Sequence, residues 1–253
     1  MEFRKIFDTI PEKFDKYRPR YSKELFDALI EKARITPSST VLELGPGTGQ
    51  ATDPILKTGC DYTAIELGEH LAEFMRRKYA AYPNFKLIND DFITHTFESE
   101  HFDLIYSAAT IQWIPEQIAF PKCLELLKPG GMLAMLSMTN ADYKSTNEAL
   151  YDDIQRIYAE HFRPDTEYQH RGYRYESAVD YGFTAYEEMG FHGTRTFDAE
   201  EYVQYSGTHC DHMVISVEHK AAFFNGLKDA VLRHGNRIVF NDTYTLRTAV
   251  KPR

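Results

Sequence analysis

The stretch VLELGPGTG, residues 41–49, is a short apolar run that ends in alternating glycines. Thr40 to Leu44 is predicted to be a strand, and the residues after the glycines, to about Lys57, are predicted to be a helix. A buried strand that runs through glycines into a helix lets a ligand approach the backbone at the carboxyl edge of an α/β sheet. The sequence therefore predicts a ligand site at this loop.

Further strands and helices alternate around this segment. Strands are predicted at Tyr62–Ile65, Phe85–Ile88, Phe102–Tyr106 and Met132–Met138, and helices at Glu69–Tyr79 and from Pro115 to a turn near Gly130. Strand–helix alternation over residues 40–138 predicts a parallel sheet with right-handed crossovers. Outside this region, Ser22 is predicted to cap a helix, Val217–Leu232 to be a helix, and Tyr244–Val250 to be a closing strand.

Two carboxylates accompany the glycine loop. Glu43 precedes Gly45 by two residues, and Glu66 ends the second predicted strand. A carboxylate at the end of the second strand, as at Glu66, is where a nucleoside-binding sheet meets the ribose hydroxyls. Each hydroxyl forms a charge-assisted hydrogen bond of about 1.5–3 kcal/mol with it. A dinucleotide site requires another glycine at position 50, which is Gln50, so an NAD-dependent dehydrogenase is disfavoured.

With these motifs in place, residues 40–138 resemble the core of a class I S-adenosylmethionine-dependent methyltransferase. The segment Phe14 to Pro19 is similar to the Tyr-x-x-Tyr-Arg-Pro segment of its type 11-like small-molecule branch. The resemblance implies an α/β, Rossmann-like, seven-stranded sheet, mostly parallel with an antiparallel last strand, helices on both faces and an inserted cap. It also implies in-line transfer of a methyl group from S-adenosyl-L-methionine to a small-molecule acceptor, which leaves S-adenosyl-L-homocysteine.

The resemblance also implies roles for individual residues. Gly45 and Gly47 pass the methionine part of the cofactor, Glu43 supports the loop, and Glu66 binds the ribose hydroxyls. Leu67 packs on the adenine, an acid in the Asp90–Asp91–Phe92 stretch meets its amino group, and Tyr106–Ala108 flanks the methionine amine. The complete implied cofactor-binding set is Tyr17, Arg18, Glu43, Gly45, Gly47, Thr48, Gly49, Glu66, Leu67, Asp90, Asp91, Phe92, Ser107, Ala108, Gln112 and Trp113.

The family often carries a His-Trp pair after the fourth strand, where this chain has Gln112 and Trp113. Glutamine orients a substrate through hydrogen bonds but accepts no proton at neutral pH. The general base is therefore unknown, and the weak candidates for a catalytic role are Gln112 and Tyr17. An aromatic face such as Tyr17 or Trp113 is expected to stabilise the sulfonium by a cation–π contact.

Composition changes after residue 138. Residues 139–205 hold 10 of the 17 tyrosines and carry six basic against 14 acidic side chains, a net charge of −8. Three parts are expected: a cofactor-binding core with an N-terminal helical lid (1–138), largely a substrate-cap insertion with part of the core (139–205), and a cap helix with the closing strand (206–253). Strand alternation is not evident in 139–205. The cap and the N-terminal segment are expected to gate a pocket.

The remaining features exclude several classes. The chain has 29 basic and 38 acidic residues, so nucleic-acid binding through clustered basic residues is not expected. The absence of a long apolar run argues against a membrane span, and three scattered cysteines without a CxxC pair indicate a reducing compartment. A cytoplasmic monomer or homodimer without a metal is expected. His209–His212 is interpreted as a polar surface turn, and Arg163, Arg171 and Arg174 as partners in local salt bridges.

Two alternatives stay open at this point. An aminopropyl or other alkyl transferase on the same fold would bind a decarboxylated cofactor and dispense with contacts to its carboxylate. A non-catalytic S-adenosylmethionine-binding module would leave no room beside the methyl group.

Overall fold

The computed structural model describes residues 3–166 and 173–253, so Arg171 lies outside the described residues. Its seven-stranded sheet has the order β3-β2-β1-β4-β5-β7-β6. The strands are β1 (Thr40–Leu44), β2 (Asp61–Glu66), β3 (Phe85–Asn89), β4 (Phe102–Ala108), β5 (Leu127–Asp142), β6 (Thr184–Phe197) and β7 (Ile238–Val250). The first five strands are mutually parallel, whereas β7 runs antiparallel to both β5 and β6. The predicted α/β sheet with an antiparallel last strand is confirmed.

Helices cover both faces of this sheet and form the cap. They are α1 (Pro11–Tyr17), α2 (Lys23–Ala33), α3 (Thr52–Leu56), α4 (Glu69–Lys78), α5 (Glu116–Leu126), α6 (Glu148–His161), α7 (Ala199–Ser206), α8 (Cys210–Met213) and α9 (Val217–Arg233). The predicted cap at Ser22 is present, because its hydroxyl accepts a hydrogen bond from the Leu25 amide at 3.3 Å. None of these helices is long and apolar enough to cross a membrane, as judged over the described ranges.

The edge strand β6 was not expected from the sequence, and the reading of 139–205 as lacking strand alternation is wrong for Thr184–Phe197. Along the second half of this strand, alternate positions are Phe191, Gly193, Arg195 and Phe197, so glycine and arginine interrupt the apolar pattern. Arg195 is nevertheless largely buried, because it forms an ion pair with Asp242 of β7, with Nη2 to Oδ1 at 2.9 Å. Because an arginine of this ion pair stands at an inward position, the sequence lacks the apolar–polar alternation by which a strand is recognised.

Three apolar clusters hold these elements together. One face of the sheet packs on α2, α3 and α4 through residues such as Leu25 and Met75, and the other packs on α5 through residues such as Phe120. A third cluster, which includes Leu150 and Phe223, joins α6, α7 and α9. These three helices and the loops between them are called the cap below, and this cluster is its interior.

Candidate functional site

A cavity of about 600 Å³ lies at the carboxyl edge of the sheet. Its wall draws on the glycine loop, the ends of β2 and β4, the middle of β5, the N-terminal residues up to Tyr21, and the α7–α8 corner. Among the sequence-predicted residues, the cavity is lined by Arg18, Gly45, Gly47, Glu66, Leu67, Asp90, Asp91, Phe92, Ala108, Gln112 and Trp113. Ligands of open α/β sheets bind outside the carboxyl ends of the strands, which is where this cavity lies.

The glycine loop turns sharply at the cavity floor. Gly45 and Gly47 both have φ of +60°, a backbone conformation that side chains with a Cβ rarely adopt. A Cβ on Gly45 would lie 2.3 Å from Cγ2 of Thr110, whose hydroxyl donates to the Gly45 carbonyl at 2.9 Å. The loop therefore has no space for larger residues, and its backbone forms the floor on which a ligand rests.

Glu66 is the carboxylate at the end of β2, and it is 6% exposed. Its Oε2 accepts a hydrogen bond from the Gly47 amide at 3.0 Å, and its Oε1 accepts one from the Gly68 amide at 2.8 Å. Burial raises the pKa of Glu66 to about 7, against the opposing effect of these two amides. Each carboxylate oxygen accepts more than one hydrogen bond, so Glu66 retains capacity for two donors from a ligand.

Glu43 lies behind the cavity wall and is 1% exposed. It accepts hydrogen bonds from the Thr52 hydroxyl at 2.6 Å and from the Tyr62 hydroxyl at 2.5 Å, and the Tyr62 hydroxyl also contacts that of Tyr106. Burial raises the pKa of Glu43 to about 7. These contacts connect β1 to α3 across the loop, so Glu43 holds the loop from beneath.

The far end of the cavity carries two acids in succession. Asp91 forms an ion pair with Arg4 at 2.7 Å and accepts from the Ile93 amide at 2.9 Å. Burial disfavours its charge, but the hydrogen bonds from Arg4 and from the Ile93 amide hold its pKa below the usual value. Asp90 contacts Nδ1 of His95 at 2.7 Å. Arg4 therefore ties the N-terminal segment to the cavity wall through Asp91.

Five of the predicted cofactor-binding residues do not line the cavity: Glu43, described above, and four others. Tyr17 packs into the cap cluster, and the buried Thr48 has its amide and hydroxyl bound to the Gln50 side chain. Gly49 faces Tyr79, and the hydroxyl of Ser107 accepts a hydrogen bond from the Ile111 amide at 2.8 Å. In this structure these residues lie behind the cavity wall, so their contact with the cofactor and the catalytic role of Tyr17 stay predictions.

Gln112 and Trp113 follow β4 and lie in the cavity wall. The Gln112 amide nitrogen donates to the Ala109 carbonyl at 2.9 Å, which orients its Oε1 the other way. That Oε1 is buried and has no hydrogen-bond partner in the described parts of the chain. The Trp113 ring packs against Phe7 of the N-terminal segment, with ring centroids 6.1 Å apart. Gln112 therefore presents an unused hydrogen-bond acceptor beside an aromatic surface.

Arg18 of the N-terminal segment also lines the cavity. Its guanidinium lies over the rings of Phe14 and Phe7, at 5.3 and 5.9 Å from their centroids. Within residues 3–166 and 173–253 it forms no salt bridge, although other arginines of the chain pair with carboxylates. A buried or half-buried cation without a counter-charge is costly, so this position favours an anionic ligand group.

The segment His209–His212 is not a polar surface turn, and this prediction is wrong. His209, Cys210 and Asp211 line the cavity, while His212 is 4% exposed. The packing of α7 and α8 onto the N-terminal region brings them there, and this contact between distant parts of the chain has no local sequence signal. Over the described ranges, no group of His, Cys, Asp and Glu side chains is arranged to hold a metal ion.

Of the three arginines singled out in the cap, the two that the structure describes, Arg163 and Arg174, do not line the cavity. Arg174 forms the predicted local ion pair, with Glu176 at 3.2 Å, and Arg163 donates to the carbonyls of Phe162 and Ala159. The tyrosine excess of the cap has a clearer outcome. Sequence reasoning named no individual tyrosine of the cap, but Tyr173 and Tyr175 line the cavity, while others pack inside the cap.

Comparisons with known proteins agree with this geometry. Residues 42–135 match the family described as methyltransferase domain. The ribosomal RNA small subunit methyltransferase A of Dehalococcoides mccartyi (strain CBDB1) is 31% identical over 118 residues, which are 46% of this chain. The chain spans 40% of the length of that relative.

Solved structures share the fold across nearly the whole chain. A putative type II methyltransferase from Anaeromyxobacter dehalogenans superposes with a TM-score of 0.67 at 15% identity, over 93% of this chain and 98% of that one. Haemonchus contortus phosphoethanolamine N-methyltransferase 2, in complex with phosphomonomethylethanolamine and S-adenosylhomocysteine, superposes with a TM-score of 0.59 at 15% identity. It matches 100% of this chain and 61% of its own. Residues 42–135 are therefore similar to a methyltransferase domain, and the chain as a whole shares the fold of these solved methyltransferases.

Proposed function

We propose that the protein transfers the methyl group of S-adenosyl-L-methionine to a small-molecule acceptor. The observation that carries the proposal is Glu66, a buried carboxylate with spare hydrogen-bonding capacity, at the cavity floor beside two glycines with positive φ. When bound, the cofactor supplies an activated methyl group on a sulfonium, so the chemistry needs no covalent intermediate on the protein. The residues of the chain contribute binding, orientation and exclusion of water.

The residues present fit the adenosine part of this cofactor. Glu66 would accept hydrogen bonds from both ribose hydroxyls, and Leu67 and Phe92 provide apolar surfaces for a purine. Asp90 and Asp91 lie at the same end and would accept from the exocyclic amine. The ion pair between Asp91 and Arg4 places the N-terminal segment over this end, which supports its role as a lid.

The methionine part fits the opposite end of the glycine loop. Its carboxylate would pair with the guanidinium of Arg18, which has no other counter-charge in the described structure. This pairing disfavours the alternative of an aminopropyl transferase, whose decarboxylated cofactor offers no anion to Arg18. Gln112 would accept a hydrogen bond from an N–H or O–H group in the cavity.

Two features support a small molecule as the acceptor. The cavity is bounded by the N-terminal segment on one side and by the cap corner on the other, and its volume of about 600 Å³ suits a cofactor with a compact second ligand. The cap is acidic, with a net charge of −8 over residues 139–205, which repels a phosphate backbone. RNA is the second candidate acceptor, because the relative from Dehalococcoides mccartyi is named a ribosomal RNA methyltransferase.

The acceptor class is tested with S-adenosylmethionine that carries a tritiated methyl group. The purified protein is incubated either with total RNA or with a deproteinised, RNA-free metabolite extract. We expect label in the small-molecule fraction and none in the RNA. Label recovered in RNA would contradict the small-molecule proposal while leaving the methyltransferase activity intact.

Cofactor affinity is expected to rise with pH through about 7. The free carboxyl of Glu66 has a raised pKa of about 7, and hydroxyl donors favour its ionised form, so its pKa falls when the nucleoside binds. Affinity is therefore highest above this pKa and decreases by up to about tenfold per pH unit below it. Calorimetric titration with S-adenosylhomocysteine, at several pH values and in buffers of different ionisation enthalpy, measures both the affinity and the released proton. A pH-independent affinity without proton release would show that Glu66 does not bind the ligand.

A further inference from the structure

His209 belongs to a sequence motif, His209–His212, to which the cofactor site assigns no role. It lies in the loop between α7 and α8 and lines the same cavity as the glycine loop, together with Asp211. Its ring packs edge-on against Tyr205, with centroids 4.6 Å apart, and against His212 at 5.0 Å. These contacts fix the orientation of the imidazole within the wall.

The hydrogen bonds of the two histidines define their protonation. Nδ1 of His209 and Nδ1 of His212 both contact the carbonyl oxygen of Ser206, at 3.1 and 2.8 Å. A carbonyl oxygen only accepts, so each Nδ1 carries the hydrogen, and in a neutral ring each Nε2 carries the lone pair. For His212 that lone pair is used, because its Nε2 accepts from the Tyr158 hydroxyl at 2.8 Å. Nε2 of His209 has no hydrogen-bond partner in the described structure.

The surroundings keep His209 neutral. Burial, together with the positive charge of Arg18 and the proximity of His212, holds its pKa well below the usual value, and Arg195 acts in the same direction. The imidazole therefore presents a lone pair at neutral pH instead of a second N–H group. Asp211, two residues after His209, also lines the cavity. One of its carboxylate oxygens accepts a hydrogen bond from the His212 amide at 2.9 Å.

The cavity wall around His209 contains several polar side-chain groups that have no full set of hydrogen-bond partners among the described residues. Gln112 Oε1 and the Tyr173 hydroxyl are buried in this wall without a hydrogen-bond partner within the described ranges. His209 Nε2 and the Asp211 carboxylate add further acceptors, and Arg18 adds donors. The rings of Tyr21, Tyr175 and Tyr244 line the same part of the cavity. A compact or aromatic ligand that pairs with His209 Nε2 and Gln112 Oε1 must donate hydrogen bonds at that end.

We infer that His209 selects the methyl acceptor, by accepting through Nε2 a hydrogen bond from the N–H or O–H group of a neutral nucleophile. That the ligand is a methyl acceptor rests on the proposed function. The preference of His209 for a ligand that donates a hydrogen bond follows from the structure of the chain alone. An acceptor that enters as a carboxylate, or that has no N–H or O–H hydrogen, leaves this nitrogen unpaired and is rejected. His209 acts here as a specificity-determining residue.

The test uses the full chain labelled with 15N-histidine and saturated with S-adenosylhomocysteine. Phenol and anisole are the probes, because they share a ring and differ in that anisole has no O–H donor. We expect the His209 Nε2 resonance, identified by its loss in His209→Phe, to be that of an unprotonated nitrogen and to shift with phenol but not with anisole. The His212 Nε2 resonance is the internal control and stays unchanged, since Tyr158 already occupies that nitrogen.

A protonated His209 Nε2, an absent response to phenol, or an equal response to anisole would each overturn the inference. Kinetics with a panel of amines, phenols, thiols and carboxylic acids provides a second measurement. His209→Phe should lower kcat/KM for the methylated N–H or O–H acceptor by about tenfold or more, and His209→Gln, whose amide oxygen also accepts, should recover part of it.

Calorimetry separates failure of this inference from failure of the proposed function. Both variants should bind S-adenosylhomocysteine with an affinity within about twofold of the parent chain. The hydrogen bond that they lose lies at the methyl-acceptor end of the cavity, and its loss of about tenfold should appear only in kcat/KM for the acceptor. If the parent chain binds no S-adenosylhomocysteine, the proposed function fails, and the state of Nε2 in the ligand-free protein then decides the inference by itself.

Discussion

Replacing Glu66 by Gln is expected to weaken S-adenosylhomocysteine binding by about 100-fold at a pH above 7. The ionised carboxylate offers charge-assisted hydrogen bonds of about 1.5–3 kcal/mol each to the ribose hydroxyls. An amide offers one neutral acceptor, and its NH₂ group faces a backbone amide of Gly47 or Gly68 that also donates. The loss is measured by calorimetric titration of the nucleoside.

Glu69→Gln is the matched control, because Glu69 lies three residues further along the chain and is exposed at the start of α4. It should bind the nucleoside like the parent chain. Urea unfolding verifies that Glu66→Gln is folded. The difference between Glu66→Gln and the parent chain should also shrink as the pH falls below 7, since protonation makes the parent carboxyl neutral as well. Equal affinities of the two variants above pH 7 would refute the role of Glu66.

Replacing Arg18 by Ala is expected to weaken binding of S-adenosylhomocysteine by about 10- to 100-fold, which corresponds to one lost charge-assisted pair. The effect should depend on the ligand. 5′-Methylthioadenosine has no amino-acid carboxylate, so its affinity should be the same for the variant and for the parent chain. Calorimetry with both nucleosides therefore gives a coupling between Arg18 and the ligand carboxylate.

Arg20→Ala is the control for Arg18, because Arg20 lies two residues away and forms an exposed ion pair with Asp15. It should leave both affinities unchanged. An equal loss for both nucleosides in Arg18→Ala would indicate a general structural effect. No loss for either would contradict the assignment of the carboxylate site and would favour an alkyl transferase that uses a decarboxylated cofactor.

The parts of the fold that sequence reasoning predicted are those set by local patterns. The run from Thr40 to Leu44, the glycines Gly45 and Gly47, and Glu66 at the end of β2 each carry their signal within a few residues. The strand ends and these residues meet at the cavity, as the sequence predicted. Ser22 and its helix belong to the same group, because an N-cap is a contact between near neighbours in the chain.

The parts that were missed depend on contacts between distant residues. β6 was not recognised because Arg195, in an inward position, is neutralised only by Asp242, 47 residues later. The place of His209 depends on the packing of α7 and α8 against the N-terminal region, and that of Tyr17 on the cap cluster. Contacts between residues far apart in the chain are properties of the tertiary structure, so the local periodicity of the sequence does not predict them.

The central claim is that the glycine loop and Glu66 hold an adenosyl nucleoside. Calorimetric titration of the folded protein with S-adenosylhomocysteine, and in parallel with NAD⁺, tests this most directly. Saturable binding of S-adenosylhomocysteine, with no binding of the dinucleotide, is the predicted result. Saturable binding of NAD⁺ together with no heat from S-adenosylhomocysteine would contradict the account.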